Sequence, residues 1–203
     1  VRVNNQGTAS FYYHGLTAAP GGGMYVTWPG SDGNLYAARL DANGNLVWAD
    51  DLPITTTGDV SLVYNLAMKK VVEDGSGGFI TTWCTTANLL MAQRFTSSGA
   101  EVWEPAGINV CTAGASVSCL SLDTNKRGGA VVTWYDNRSG NNDVFVQGIT
   151  AAGALGNPGA STGGGGGCSA GAGGTGSPLF FLMLLCAVMA AGRLFRRGCR
   201  AVK

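Results

Sequence analysis

The sequence predicts an all-β chain of three propeller-like repeats, followed by a linker and one C-terminal transmembrane helix. Three observations carry this. The run Gly22-Gly23-Met24-Tyr25-Val26-Thr27-Trp28 recurs as Gly77-Gly78-Phe79-Ile80-Thr81-Thr82-Trp83 and as Gly128-Gly129-Ala130-Val131-Val132-Thr133-Trp134. Charged residues make up only 12% of the chain and glycine 33 of its 203 residues, the balance of strands and tight turns rather than helices. No charge lies between Asp143 and Arg193, and a basic cluster follows.

The repeated tryptophans are 55 and 51 residues apart, so the unit is about 50 residues long. A strand is expected to open each unit. Val3–Phe11 aligns with Ile54–Leu62, and Val110–Gly114 aligns less well. The GGxxxTW strand follows. It is nearly all apolar rather than alternating, which fits a sheet covered on both faces. A further strand comes next, at Leu35–Leu40, Leu90–Phe95 and Val144–Ile149. Then come a turn and a last strand, Asp41 to Trp48, matched by Thr96 to Trp103; in the third copy, Thr150 to Asn157, the tryptophan is gone. Asn43-Gly44 is a two-residue hairpin signal, because both residue types tolerate positive φ. Four short antiparallel strands at this period describe a propeller blade. An immunoglobulin-like sandwich would alternate more and would not repeat. The expected blades are residues 1–53, 54–109 and 110–157. Closed propellers have about four blades or more. Further blades are therefore expected upstream of Val1, or the three form an open arc.

Residues 158–177 read as a Gly/Ser/Ala linker, and Gly163–Gly167 within it is linker composition rather than a phosphate cradle. Residues 178–195 read as a membrane helix. Leu179–Phe195 would extend roughly 26 Å at 1.5 Å per residue, the short end of a span. Ser177 suits its cap and Pro178 its first turn. Residues 196–203 are a basic tail that places the C-terminus in the cytoplasm. A buried core helix is the competing reading of so short a run.

The order Gly167-Cys168-Ser169, apolar helix, then Arg193, Arg196 and Arg197 resembles the C-terminal sorting signals of bacterial surface proteins, of the glycine-rich and Gly-Cys types. The resemblance covers about 40 residues. It implies that a sorting protease in the membrane removes the helix and passes the protein to an envelope anchor. Cys168 is then a processing or lipid-attachment residue; its alternative is a linker residue. The third repeat, from Gly128-Gly129 through Trp134-Tyr135-Asp136-Asn137-Arg138 to Asp143-Val144-Phe145-Val146-Gln147, resembles a repeat of large secreted or surface bacterial proteins predicted as β-propellers. That resemblance covers roughly residues 1–157. It implies an extracellular repeat domain and no particular activity.

The tail holds five of the 13 basic residues and no acid, leaving eight against 12 acids, a net −4, for the exported part. No basic stripe is present for nucleic acid. The chain opens at Val1-Arg2-Val3 without a signal peptide, so a mature form or a C-terminal fragment is expected. Cys84, Cys111 and Cys119 lie in the repeats, Cys168 in the linker, and Cys186 and Cys199 in or beyond the helix. Cys111 with Cys119 is the favoured disulfide, although connectivity is not fixed by sequence.

Each candidate for chemistry has a structural counterpart. Asp136, Asn137, Asn141, Asn142 and Asp143 crowd one loop, where they serve a turn or hold calcium. Arg39 and Arg94 occupy matching positions and either pair with acids or face a ligand. Trp28, Trp83 and Trp134, with Trp48 and Trp103, are expected in the inter-blade core rather than on a sugar platform. His14 is the single histidine and reads as a surface residue. No nucleophile with its base, no carboxylate pair and no metal-ligand spacing marks a site, so no cofactor, metal or catalytic residue is assigned. The non-repeated polar residues Asp136, Arg138 and Asp143 are expected in loops open to a ligand. The expected function is an envelope-anchored module for surface interaction or adhesion. Its partners would be the membrane, a sorting protease and a surface protein or glycan. The alternative is the C-terminal part of a secreted hydrolase with its catalytic residues upstream.

Overall fold

The computed structural model describes residues 2–4, 14–61, 70–112 and 117–157. They are all-β. Eleven strands form three antiparallel sheets, and no α-helix is present among the described residues. The first sheet is a meander of β1 (Gly15–Ala18), β2 (Met24–Pro29), β3 (Leu35–Leu40) and β4 (Leu52–Pro53). The second repeats it with β5 (Val71–Glu73), β6 (Phe79–Cys84), β7 (Leu89–Phe95) and β8 (Ile108–Thr112). The third holds β9 (Ser118–Thr124), β10 (Ala130–Asp136) and β11 (Asp143–Ile149). It therefore has three described strands, not the expected four. After Thr150 the chain keeps only the bridge Ile149↔Leu155.

The GGxxxTW strands are β2, β6 and β10, as expected. Their double glycine has two separate tasks. The first supplies a positive φ, 82° at Gly22, 95° at Gly77 and 82° at Gly128. The second lets two strands meet closely: a Cβ on Gly78 would lie 2.0 Å from the carbonyl oxygen of Phe95.

Three expectations about strands need correction. The strand just before each double glycine, β1, β5 and β9, was not anticipated. The segments read as opening the second and third units are not opening strands. Ile54 to Ser61 contributes only the bridge Val60↔Thr85, and Val110-Cys111 belongs to β8, the last strand of the second sheet. (Of Val3–Phe11, residues 5–11 lie outside the described residues.) The returning arms Leu46–Trp48 and Glu101–Trp103 make one bridge each, Leu40↔Leu46 and Phe95↔Glu101. They leave the sheet because Trp48 and Trp103 turn away toward the next repeat. The hairpin before Trp48 is also not the expected two-residue turn. The N–H of Asp41 bonds the carbonyl of Asn45, and only Gly44, at φ 81°, has positive φ. That is a longer hairpin loop closed by one left-handed glycine.

The sheets stack face to face, with the first strands β1, β5 and β9 as neighbours. Tyr25, Leu35 and Ala37 of the first sheet pack against Val71, Phe79 and Trp83 of the second. Ile80, Cys84 and Leu90 of the second pack against Leu122, Val132 and Trp134 of the third. All six residues of β6 are buried, because this strand is covered on both sides. Trp83 and Trp134 thus lie in inter-sheet cores, as expected. Trp28 is buried as well, but it points away from the second sheet and stacks on Tyr36 at 6.3 Å.

The segments expected to be linker, membrane helix and basic tail (158–177, 178–195, 196–203) lie outside the described residues, as do Gly167, Cys168, Ser169, Arg193, Arg196 and Arg197. No described helix is long and apolar enough to cross a membrane.

Candidate functional site

The repeated polar residues act as clamps between sheets. Arg39 donates to the carbonyl of Ser97 at 3.0 Å, and the Trp48 indole N–H donates to the same oxygen at 3.3 Å. One repeat later, Arg94 and the Trp103 indole share the carbonyl of Ala151, at 3.4 and 3.1 Å. Ser97 and Ala151 occupy the same place in the turn of the following sheet. Arg94 also pairs with Asp74 at 2.8 Å, with both side chains largely buried. At the place of Asp74 the first repeat has Ala19, and Arg39 lies over the Tyr25 ring at 5.8 Å. In the third sheet the equivalent positions are Gly148 and Asn157, so the clamp stops there.

Asp136 is a strand residue, and Arg138, in the turn that follows, is turned inward rather than open to a ligand. Asp136 ends β10, fully buried. It accepts from the Trp134 indole at 2.8 Å and from Arg138 Nε at 2.8 Å. Arg138 in turn covers the Phe145 ring at 4.3 Å and reaches Cys111 Sγ on β8 at 2.7 Å. Burial by itself would raise the Asp136 carboxyl. The hydrogen bonds from the Arg138 side chain and backbone N–H, and from Trp134, outweigh it and hold the carboxyl below its usual value. The hydrogen bonds from Arg138 to Asp136 raise the guanidinium above its own. The Asp-x-Arg pair therefore welds the third sheet to the second.

Asp143 is not a loop residue either: it opens β11, exposed, pairs across the ladder with Asp136 and accepts from the Ser139 hydroxyl. His14 is exposed, just ahead of β1. Cys84 and Cys111 are both buried and flank Leu90 in one cross-strand row. Two strand spacings, roughly 9.6 Å, put them beyond disulfide reach. The side chain of Cys119 lies outside the described residues. Among the described residues no three His, Cys, Asp or Glu side chains cluster as a metal site.

One cleft of about 360 Å³ opens between the first and second sheets. Its floor is Trp83, Leu89 and Met91, its wall Thr55, Thr56 and Thr57, and Asp59 and Glu101 bring carboxylates to it. The segment carrying Asp59 crosses from sheet to sheet. The Val60 N–H bonds the Gly33 carbonyl at 3.0 Å, and the Ser61 N–H bonds that of Cys84 at 2.8 Å. Asp59 also accepts from the Thr57 hydroxyl at 2.5 Å. Sequence reasoning missed this site. Its two acids are 42 positions apart, and only the stacking of the sheets brings them to one cleft. A run of three threonines followed by Gly58-Asp59 was the one local hint. With an apolar floor, hydroxyl walls and two anionic groups, the cleft can hold a ligand that is apolar on one side and carries hydroxyl or ammonium groups on the other. Compared with protein-family models and with curated proteins, the chain matches none.

Proposed function

We propose that the chain is an exported β-repeat module, anchored in the cell envelope, that binds a surface ligand and has no catalysis of its own. In this reading the three meanders are propeller-like blades, residues 178–195 cross the membrane, and a sorting protease acts at Gly167-Cys168-Ser169. The observation that carries the binding reading is the cleft over Trp83. It is the kind of concave, mostly apolar site with a few polar groups that ligands use, and it sits on a scaffold whose Arg94–Asp74 and Arg138–Asp136 pairs are held in largely buried contacts. The ligand is a protein or glycan with cationic or hydroxylated groups, matching the acids Asp59 and Glu101 and the net −4 of the exported part.

The same two acids are what favours the rival reading, a hydrolase. One experiment separates them. Full-length chain in detergent micelles is screened on glycan and peptide arrays, and against glycosidase, peptidase and esterase substrates. Binding that falls at least tenfold in the double variant Asp59→Asn/Glu101→Gln, with no turnover, supports the module. Turnover abolished by a single Asp or Glu substitution in residues 1–157 would overturn it. The anchoring reading has its own check, mass spectrometry of surface-extracted protein. The segment from about Ser177 onward should be missing, and an intact Lys203 counts against a sorting signal.

A further inference from the structure

The two ends of the sheet stack carry unmatched halves of one interface. Each junction inside the chain joins the outgoing face of one sheet to the incoming face of the next. On incoming faces, Leu16, Val71 and Leu122 are register equivalents, as are Met24, Phe79 and Ala130. The members in the second and third sheets are at most 1% exposed, while Leu16 is 63% and Met24 37% exposed. On outgoing faces, Leu35, Leu90 and Val144 correspond, as do Ala37, Ala92 and Val146. Those of the first and second sheets are at most 3% exposed, while Val144 is 71% and Val146 61% exposed. Four of the six exposed large hydrophobic side chains among the described residues thus sit where the two internal junctions have their contacts. A scattered apolar residue needs no explanation, but matched ones at register-equivalent positions do.

We propose that the open face of the third sheet docks on the open face of the first sheet of a second copy of this chain, and the reverse. The joint is then made twice and two chains close one ring. The inference rests on the propeller-like reading of the stack. The three described sheets of each of two copies make a ring of six, within the roughly four to eight of closed propellers. The contact is head to tail, and such contacts make rings when the rotation closes and filaments when it does not. The partner's fit is stated by the internal contacts. Phe79 packs on Tyr25 with ring centroids 4.8 Å apart. The equivalents at the new joint are Met24 of one chain and Val131 of the other. Because Gly148 and Asn157 replace the clamp residues, the joint rests on apolar contact and is weaker than the internal ones.

The test is light scattering on size-separated full-length chain in detergent micelles, over about 1–100 μM. A two-chain species is expected. Met24→Glu, Val131→Lys and the exposed-face variant Val146→Lys should each weaken it at least tenfold while the far-ultraviolet circular dichroism is kept. The combination Met24→Glu/Val131→Lys should restore it, since the new charges face each other only in this register. A monomer throughout, a filament, or a dimer indifferent to all three single variants would overturn the ring. Those results leave the internal stacking untouched, and that is tested separately by Trp83→Ala.

Discussion

Replacing Trp83 by alanine tests the stacking of the first two sheets. The indole is 2% exposed and lies in the core formed with Tyr25, Ile54 and Phe79. A buried tryptophan side chain removes roughly 200 Å² of mostly apolar surface from water, worth about 5 kcal/mol at 25 cal/mol per Å². Compactness of the unfolded chain lowers that to about 3–4.5 kcal/mol. Large-to-small aromatic substitutions in cores cost about 3–5 kcal/mol. The lower end applies, because the ring floors a cleft and water can enter the space it leaves. The cost does not fall below that end, because the neighbourhood does not readily collapse onto that space. Gly107, at φ 91°, already brings the backbone against the ring, where a Cβ would come within 2.8 Å of Cη2. Urea unfolding followed by circular dichroism is the assay. At about 1–3 kcal/mol per molar urea, a loss of 3 kcal/mol moves the midpoint down by roughly 1–3 M. A loss below about 1 kcal/mol would mean that the ring is solvated and the two sheets are not stacked through it.

Three more outcomes are expected. Arg94→Met should destabilise by about 3 kcal/mol in urea unfolding, because it strands Asp74 in a buried pair; Arg39→Met, which loses only a carbonyl contact and a ring contact, should cost about 1 kcal/mol. Gly78→Ala should cost more than about 2 kcal/mol, since its Cβ meets the Phe95 carbonyl oxygen, whereas Gly21→Ala, with φ 79° and open space, should cost about 1 kcal/mol in the same melts. For Asp136 the folded carboxyl titrates below its unfolded value near 3.9. Its contribution is complete above that value and is lost as pH falls through the lower folded value. Thermal melts should therefore show stability falling below about pH 4, with a shallower fall in Asp136→Asn, and an equal fall in both would refute the role.

The strands that sequence located well are those whose burial is dictated on both faces. β2, β6 and β10 announce themselves through the double glycine and the terminal tryptophan, and β3 and β7 through their apolar spacing to it. The strands it missed or misplaced owe their state to a neighbour. Gly15–Ala18 and Val71–Glu73 are four and three residues with no shared motif, and pairing with β2 and β6 is what makes them strands. Leu52–Pro53 and Ile108–Thr112 are outer strands reached after a tryptophan has left the sheet, so the sequence around them reads equally as the start of the next unit. Asp136 and Arg138 were visible as a non-repeated pair. Their burial depends on Phe145 and on Cys111, which no local pattern connects to them. The cleft was invisible for the same reason.

A stack of similar sheets has a problem that a single core does not. Apolar faces are interchangeable, so burial alone would let one sheet slide or turn on the next at little cost. The Arg/Trp clamp removes that freedom. Each pair converges on one carbonyl, that of Ser97 or Ala151, and a hydrogen bond to a fixed oxygen has a direction that dispersion lacks. The clamp also has a sense, since the side chains come from the earlier sheet and the carbonyl from the later one. Glycine at 128 belongs to the same device, because any Cβ there would come within 2.4 Å of the Arg94 guanidinium that makes the second clamp. The junction between the second and third sheets then gains the Asp136–Arg138–Cys111 link, which the first junction lacks. Repeat identity therefore explains why the sheets stack, and the departures from it explain their order: an Asp-x-Arg found only in the third copy, and a clamp that ends at Gly148 and Asn157.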